Sequence, residues 1–136
     1  MTRIFCPFAA ALVAVFMFIG PAAAQTVEGR FCGHMASWFG LVDNDTFTEL
    51  RLRPDGRLAG SYIVGGWLGG FGGIQGRLAE AEAGSGLVRQ LTWSDRRGGG
   101  KLVITFNATM TAFRGFWGND AAEPKARWDG ERCSSL

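Results

Sequence analysis

The side chains able to do chemistry are few, and their spacing is poor for catalysis. His34 is the only histidine among the 136 residues. A Ser-His-Asp or Cys-His nucleophile would depend on it, yet it stands before the regular part of the fold begins. Cys32-Gly33-His34 with a distant Cys133 supplies three metal donors, one short of a tetrahedral structural zinc site. Asp43-Asn44-Asp45 opens like a calcium loop but lacks the glycine and distal glutamate of an EF-hand, and reads as a solvated loop. The glycine-rich run from Gly65 to Gly73 has no lysine at Walker spacing, no G-x-G-x-x-G and no following helix, so it is not a phosphate cradle. No paired-carboxylate signature is present. The chain is therefore expected to be no enzyme, and to need no cofactor or metal.

Binding residues are easier to nominate. Trp67, Leu68 and Phe71 sit on a glycine backbone, where they form either an apolar lid, a partner contact or an inward core plug. Arg89 falls on the same strand face as Leu87, Leu91 and Trp93, so it is predicted to point inward. There it would orient an anionic group of a ligand, or pair with a carboxylate and cap the fold. Arg96, Arg97 and Lys101 make a small basic tip that reads as a solvated turn.

Composition bounds the setting. Arg3 precedes an uncharged run from Ile4 to Ile19, shorter than the roughly 20 residues of a spanning helix. Gly20-Pro21 breaks it, and Ala22-Ala23-Ala24 supplies small residues for cleavage. Residues 1–24 read as a secretory signal peptide and 25–136 as one domain. The expected location is exported, periplasmic or secreted, without stable membrane insertion once the leader is removed. The remaining chain carries 13 basic and 12 acidic side chains, since Arg3 alone is lost from the totals of 14 and 12. A net charge near +1 gives no footprint for nucleic acid or an anionic membrane. Two cysteines survive processing, and an exported protein is expected to join Cys32 to Cys133.

The elements that would position these residues are strands. Thr48, Leu50 and Leu52 alternate with Glu49, Arg51 and Arg53, the period-two signature of a half-buried strand. Pro54-Asp55-Gly56 makes a tight hairpin turn. Eight strands are expected: one within Phe31–Phe39, then Thr46–Arg53, Arg57–Val64, Ile74 to about Glu80, Leu87–Ser94, Lys101–Asn107, Ala112–Gly118 and Lys125–Arg132. Connections after odd-numbered strands read as longer than those after even-numbered ones. In a meander this puts the long loops at one rim and the tight turns, with both cysteines, at the other. The fold class is all-β, a small eight-stranded antiparallel up-and-down β-barrel. Closure removes the exposed edges, and the disulfide clamps it.

Asp45-Thr46-Phe47, Asp55-Gly56-Arg57-Leu58-Ala59-Gly60-Ser61-Tyr62, Gly76-Arg77 and Leu91-Thr92-Trp93 together resemble the avidin family over roughly Trp38 to Trp93, about half of the processed chain. The resemblance implies an eight-stranded barrel holding a small ligand at its open end. It puts Tyr62 where avidins place a ligand-contacting tyrosine and Trp93 where they place a tryptophan wall. The asparagine and serine that bind the biotin ureido group have no counterpart in Gly40-Leu41-Val42-Asp43-Asn44-Asp45. The expected function is non-enzymatic binding of a small, partly apolar ligand at the long-loop rim by Tyr62, Trp67, Phe71, Arg89 and Trp93. The alternative is an exported protein-binding module with a filled barrel, such as an inhibitor of a secreted enzyme or an envelope interaction protein.

Overall fold

The computed structural model describes residues 26–37, 43–65, 73–120 and 123–134. They form a closed antiparallel barrel in which each strand pairs with its sequence neighbours and the last with the first. The strands are β1 (Gly29–Ala36), β2 (Asp43–Leu52), β3 (Leu58–Val64), β4 (Ile74–Ala79), β5 (Val88–Asp95), β6 (Gly98–Phe106), β7 (Ala112–Asn119) and β8 (Ala126–Arg132). The expected eight-stranded up-and-down barrel is thus the fold. β1, β3, β5 and β7 end at an upper rim; 53–57, 80–87 and 107–111 link the strands at a lower one.

Alternation decides which way each side chain points. Leu58, Tyr62 and Val64 of β3, Arg89, Leu91 and Trp93 of β5, and Leu102, Ile104 and Phe106 of β6 are buried. Between them stand exposed Ser61, Gln90, Thr92, Lys101 and Thr105. Most apolar residues point in and most outward positions are polar, with Ile63, Val88 and Phe116 exposed and Arg89 buried as exceptions. The interior is filled: Trp128, Tyr62, Phe31, Leu50, Leu58, Leu102 and Ile104 are all below 2% exposed. Phe31, Phe106 and Phe113 form a ring cluster with centroids 5.3–6.0 Å apart, in tilted and edge-on geometries favoured by aromatic quadrupoles.

Two expectations about connections need correction. The polar stretch Asp95 to Gly100 is not a loop: only Arg96 and Arg97 link β5 to β6. Asp95 Oδ1 accepts the Arg97 N–H at 2.8 Å and tightens the turn. Gly98 to Gly100 continue as strand, and Gly100 is buried against Trp93 and the Gly118 carbonyl with no room for a Cβ. Conversely, the connection after β4 spans residues 80–87 and is not a tight turn. The contrast between long and short rims therefore does not hold, although the strand count and closure do.

The disulfide joins Cys32 to Cys133, with Cα atoms 5.1 Å apart. Cys32 lies within β1, not before it, and its outward side faces the β1–β8 junction, where it pairs in register with Glu131. Arg132 closes the lower rim beside it. Its guanidinium lies 5.0 Å from the Phe31 ring centroid and donates to the carbonyls of Met110, Glu28 and Thr26 at 2.9, 2.9 and 2.5 Å.

Candidate functional site at the upper rim

The upper end of the barrel ends in a pair of indoles. Trp93 of β5 and Trp117 of β7 meet edge to face, with centroids 5.4 Å apart and planes at 89°. Each is locked by its N–H: Trp93 Nε1 donates to the Gly118 carbonyl at 2.9 Å, and Trp117 Nε1 to the Ala36 carbonyl at 3.0 Å. Above them opens a hollow of about 280 Å³, floored by Val64, Trp93 and Trp117 and edged by Asn44, Arg97 and Asn119. It has an apolar base, two amides and one cation.

Tyr62 lies deeper. Its ring packs on Trp128 at 4.7 Å and covers Gly76 of the neighbouring strand so closely that a Cβ there would overlap it. The bare glycine is what lets the phenol pass over β4 and donate to Asp95 Oδ2 at 2.7 Å. Asp95, whose side chain is fully buried, also accepts from Arg97 Nη2 at 2.9 Å and Nε at 3.3 Å. Burial pushes the Tyr62 phenol above its ordinary value, and the hydrogen bond to Asp95 and its charge add to this. Burial would raise the Asp95 carboxyl too, but hydrogen bonds from Arg97 and Tyr62 outweigh it and hold its pKa below the ordinary carboxylate value. The Arg97 guanidinium is raised further by the Asp95 hydrogen bond.

The pair therefore keeps one ionisation state across neutral pH. Tyr62 is the only tyrosine, so absorbance near 295 nm reads it alone. Tyrosinate is expected to appear only as the barrel unfolds, not in a native step near pH 10. The linkage has a definite sign. The Tyr62 contribution is complete below about pH 10 and falls as pH rises toward the higher folded value. The Asp95 contribution is complete above about pH 4 and is lost as pH falls through its lowered folded value. A native titration step near pH 10 would mean that the phenol is not held as described.

Tyr62 and Trp93 are both in the core and share the upper half of the barrel. Arg89 does not join them. It is 4% exposed and sits at the lower rim, paired through Nε with Glu80 Oε2 at 2.9 Å and through Nη2 with Glu80 Oε1. Glu80 Oε1 also accepts the Leu58 N–H at 2.5 Å. Arg89 thus follows the capping alternative. Trp67 and Phe71 lie outside the described residues. His34 does not stand before the regular fold but within β1, on the outer wall 3.3 Å from Asp45, and Cys32 is held in the disulfide. Among the described residues, no three His, Cys, Asp or Glu side chains gather as a metal site.

Three contributors escape the sequence reading. Trp117 had a legible signal in the alternation Phe113, Gly115, Trp117, all buried. Arg97 reads as part of a solvated basic tip and Asp95 has no role assigned, because the phenol that buries Asp95 arrives from two strands away. Compared with known proteins, the chain matches no family model and no curated sequence, so what it shares with avidins at this point is the eight-stranded up-and-down architecture.

Proposed function

We propose that the protein is an exported, non-enzymatic binding module whose barrel is a filled scaffold presenting its upper rim to a protein partner, such as a secreted enzyme or an envelope protein. The observation that carries this reading is the occupied interior. Trp128 packs on Tyr62 and Trp117 on Trp93, so among the described residues both candidate ligand contacts are covered by aromatic packing. Small eight-stranded barrels have interiors that side chains can fill. The two connections at residues 37–42 and 65–73 leave from the upper rim, and their sequences carry Trp38, Phe39, Trp67, Leu68 and Phe71. Aromatic residues are enriched in protein interfaces.

A second reading keeps the small, partly apolar ligand and moves it outward. The hollow above Trp93 and Trp117, at about 280 Å³, lies just under the roughly 300 Å³ at which ligand pockets begin. Arg97 would face a polar group there.

The two separate in one experiment. Protein purified from its export compartment without refolding is analysed by native mass spectrometry, beside a Trp67→Ala/Phe71→Ala variant. The proposal expects a co-purifying protein that the variant loses while keeping its thermal midpoint. A bound small-molecule mass would assign the second reading. A large loss of stability in the variant would make both side chains core and remove the rim as a docking surface.

A further inference from the structure

The near-neutral net charge hides a segregation that the fold creates on the outer wall of β6, β7 and β8. Phe116 projects outward from β7 and is 47% exposed. Its register partners are Val103 on β6 and Arg127 on β8. Arg114 stands two residues away on the same outward face. On the other side comes Gly118, which has no side chain; Lys101 is its register partner on β6, and Lys125, whose N–H donates to the Trp117 carbonyl at 3.1 Å, flanks it from the β8 side. One exposed phenyl ring is thus surrounded by four cations.

Only Arg127 is engaged, through Asp129 at 2.6 Å. Among the described residues, no ion pair holds Lys101, Arg114 or Lys125. The β1–β2 wall is different: Arg30 and Arg51 both meet Glu49. The outward face of β8 also carries Asp129, the register partner of Arg114, and Glu131, so the β6–β8 wall sets four cations against two carboxylates, with both carboxylates toward its lower end.

We infer that this wall docks the protein on an anionic phospholipid surface. Charge complementarity points to an anionic occupant. Arg114 and Arg127 border a hollow of about 770 Å³ with Asp129 and Glu131 toward the lower end of this wall, but Phe116 lies outside it and its ring stands 47% exposed. A lipid interface accepts a protruding apolar side chain ringed by cations, since the ring enters the headgroup–acyl boundary while lysine and arginine stay among the headgroups. A folded protein would need a matching cavity for the ring. This is peripheral attachment of an intact barrel, and it does not rest on the upper-rim reading, because the two surfaces share no residue.

The test is co-sedimentation of the leader-processed protein, which contains every described residue, with phosphatidylcholine vesicles with and without phosphatidylglycerol. Binding is expected only with phosphatidylglycerol, and is expected to vanish at about 0.5 M salt, where the Debye length falls below about 5 Å. Each neutralised cation should weaken it about fivefold, so Lys101→Gln/Arg114→Gln should bind about 25-fold less tightly. Phe116→Ser should cost about tenfold. Arg51→Gln/Arg77→Gln on the β2–β4 wall should bind like the parent protein. These positions are all on the barrel exterior, and circular dichroism confirms that each variant is folded. Equal sedimentation with phosphatidylcholine alone, no sedimentation at all, or equal loss in the β2–β4 variant would each overturn the inference. So would retention on immobilised polyglutamate without vesicle binding, which would assign the wall to an acidic protein instead.

Discussion

Glu80→Ala is expected to lower the free energy of unfolding by about 3–5 kcal/mol, because it leaves a guanidinium buried without its counter-charge. The side chains of Arg89 and Glu80 are 5% and 2% exposed. Arg89 keeps only a long 3.4 Å contact to the Gly56 carbonyl once the carboxylate is gone. The same change frees the Leu58 N–H, which sits in the buried lower rim. Urea unfolding at neutral pH measures the loss. The informative comparison is Glu80→Leu/Arg89→Met, which removes both charges and keeps the volume. It should recover part of the loss and remain below the parent by about 1–3 kcal/mol, the cost of the unpaired Leu58 N–H. If the double variant is as unstable as the single one, the pair is not held together mainly by charge.

Reduction of Cys32–Cys133, or its replacement by a serine pair, is expected to cost about 4–5 kcal/mol in the chain-entropy model. The cysteines are 101 residues apart, so the bond removes much of the freedom of the unfolded chain. This is a large part of a typical domain stability of about 5–15 kcal/mol. The native barrel should survive, because five register pairs from Phe31↔Arg132 to Met35↔Trp128 hold β1 to β8 without it. Parallel urea titrations with and without reductant give the difference, and near-ultraviolet circular dichroism reports whether the indole environments persist. A loss below about 1 kcal/mol would show that the reduced, unfolded chain is already restrained by other means.

What the sequence made legible was periodicity. Strands with clean alternation could be placed: the one with Leu58, Tyr62 and Val64 to within a residue at both ends, and the one with Leu102, Ile104 and Phe106 at its end but three residues late at its start; eight of them with a cysteine pair implied closure. Glycine was the main source of error. A glycine run reads as a loop, yet Gly98 to Gly100 are strand: Gly100 lies too close to the Gly118 carbonyl and Trp93 for a side chain, whereas Gly98 has open space and a positive φ. Partners remote in sequence were equally invisible. Glu80 looks like the plain end of the fourth strand until Arg89 is seen across from it, and Asp95 looks solvated until Tyr62 reaches it over Gly76. The excess of cations around Phe116 appears only when three strands are laid side by side.

The order of pairing also has a kinetic meaning. Seven of the eight ladders join strands adjacent in sequence, across connections of at most nine residues. The eighth joins Phe31 to Arg132. The chain can therefore zip as successive hairpins into an open strip, and the seam between β1 and β8 is the one step that must close a loop of about a hundred residues. The disulfide ties that seam. Once oxidised, the barrel has its shortest ladder elsewhere, between β4 and β5, with four register pairs from Gly76↔Asp95 to Ala79↔Thr92. Two buried polar links cross this second line of weakness, Tyr62 to Asp95 above it and Glu80 to Arg89 below. They act as two stitches across the place where an oxidised barrel would otherwise first come apart.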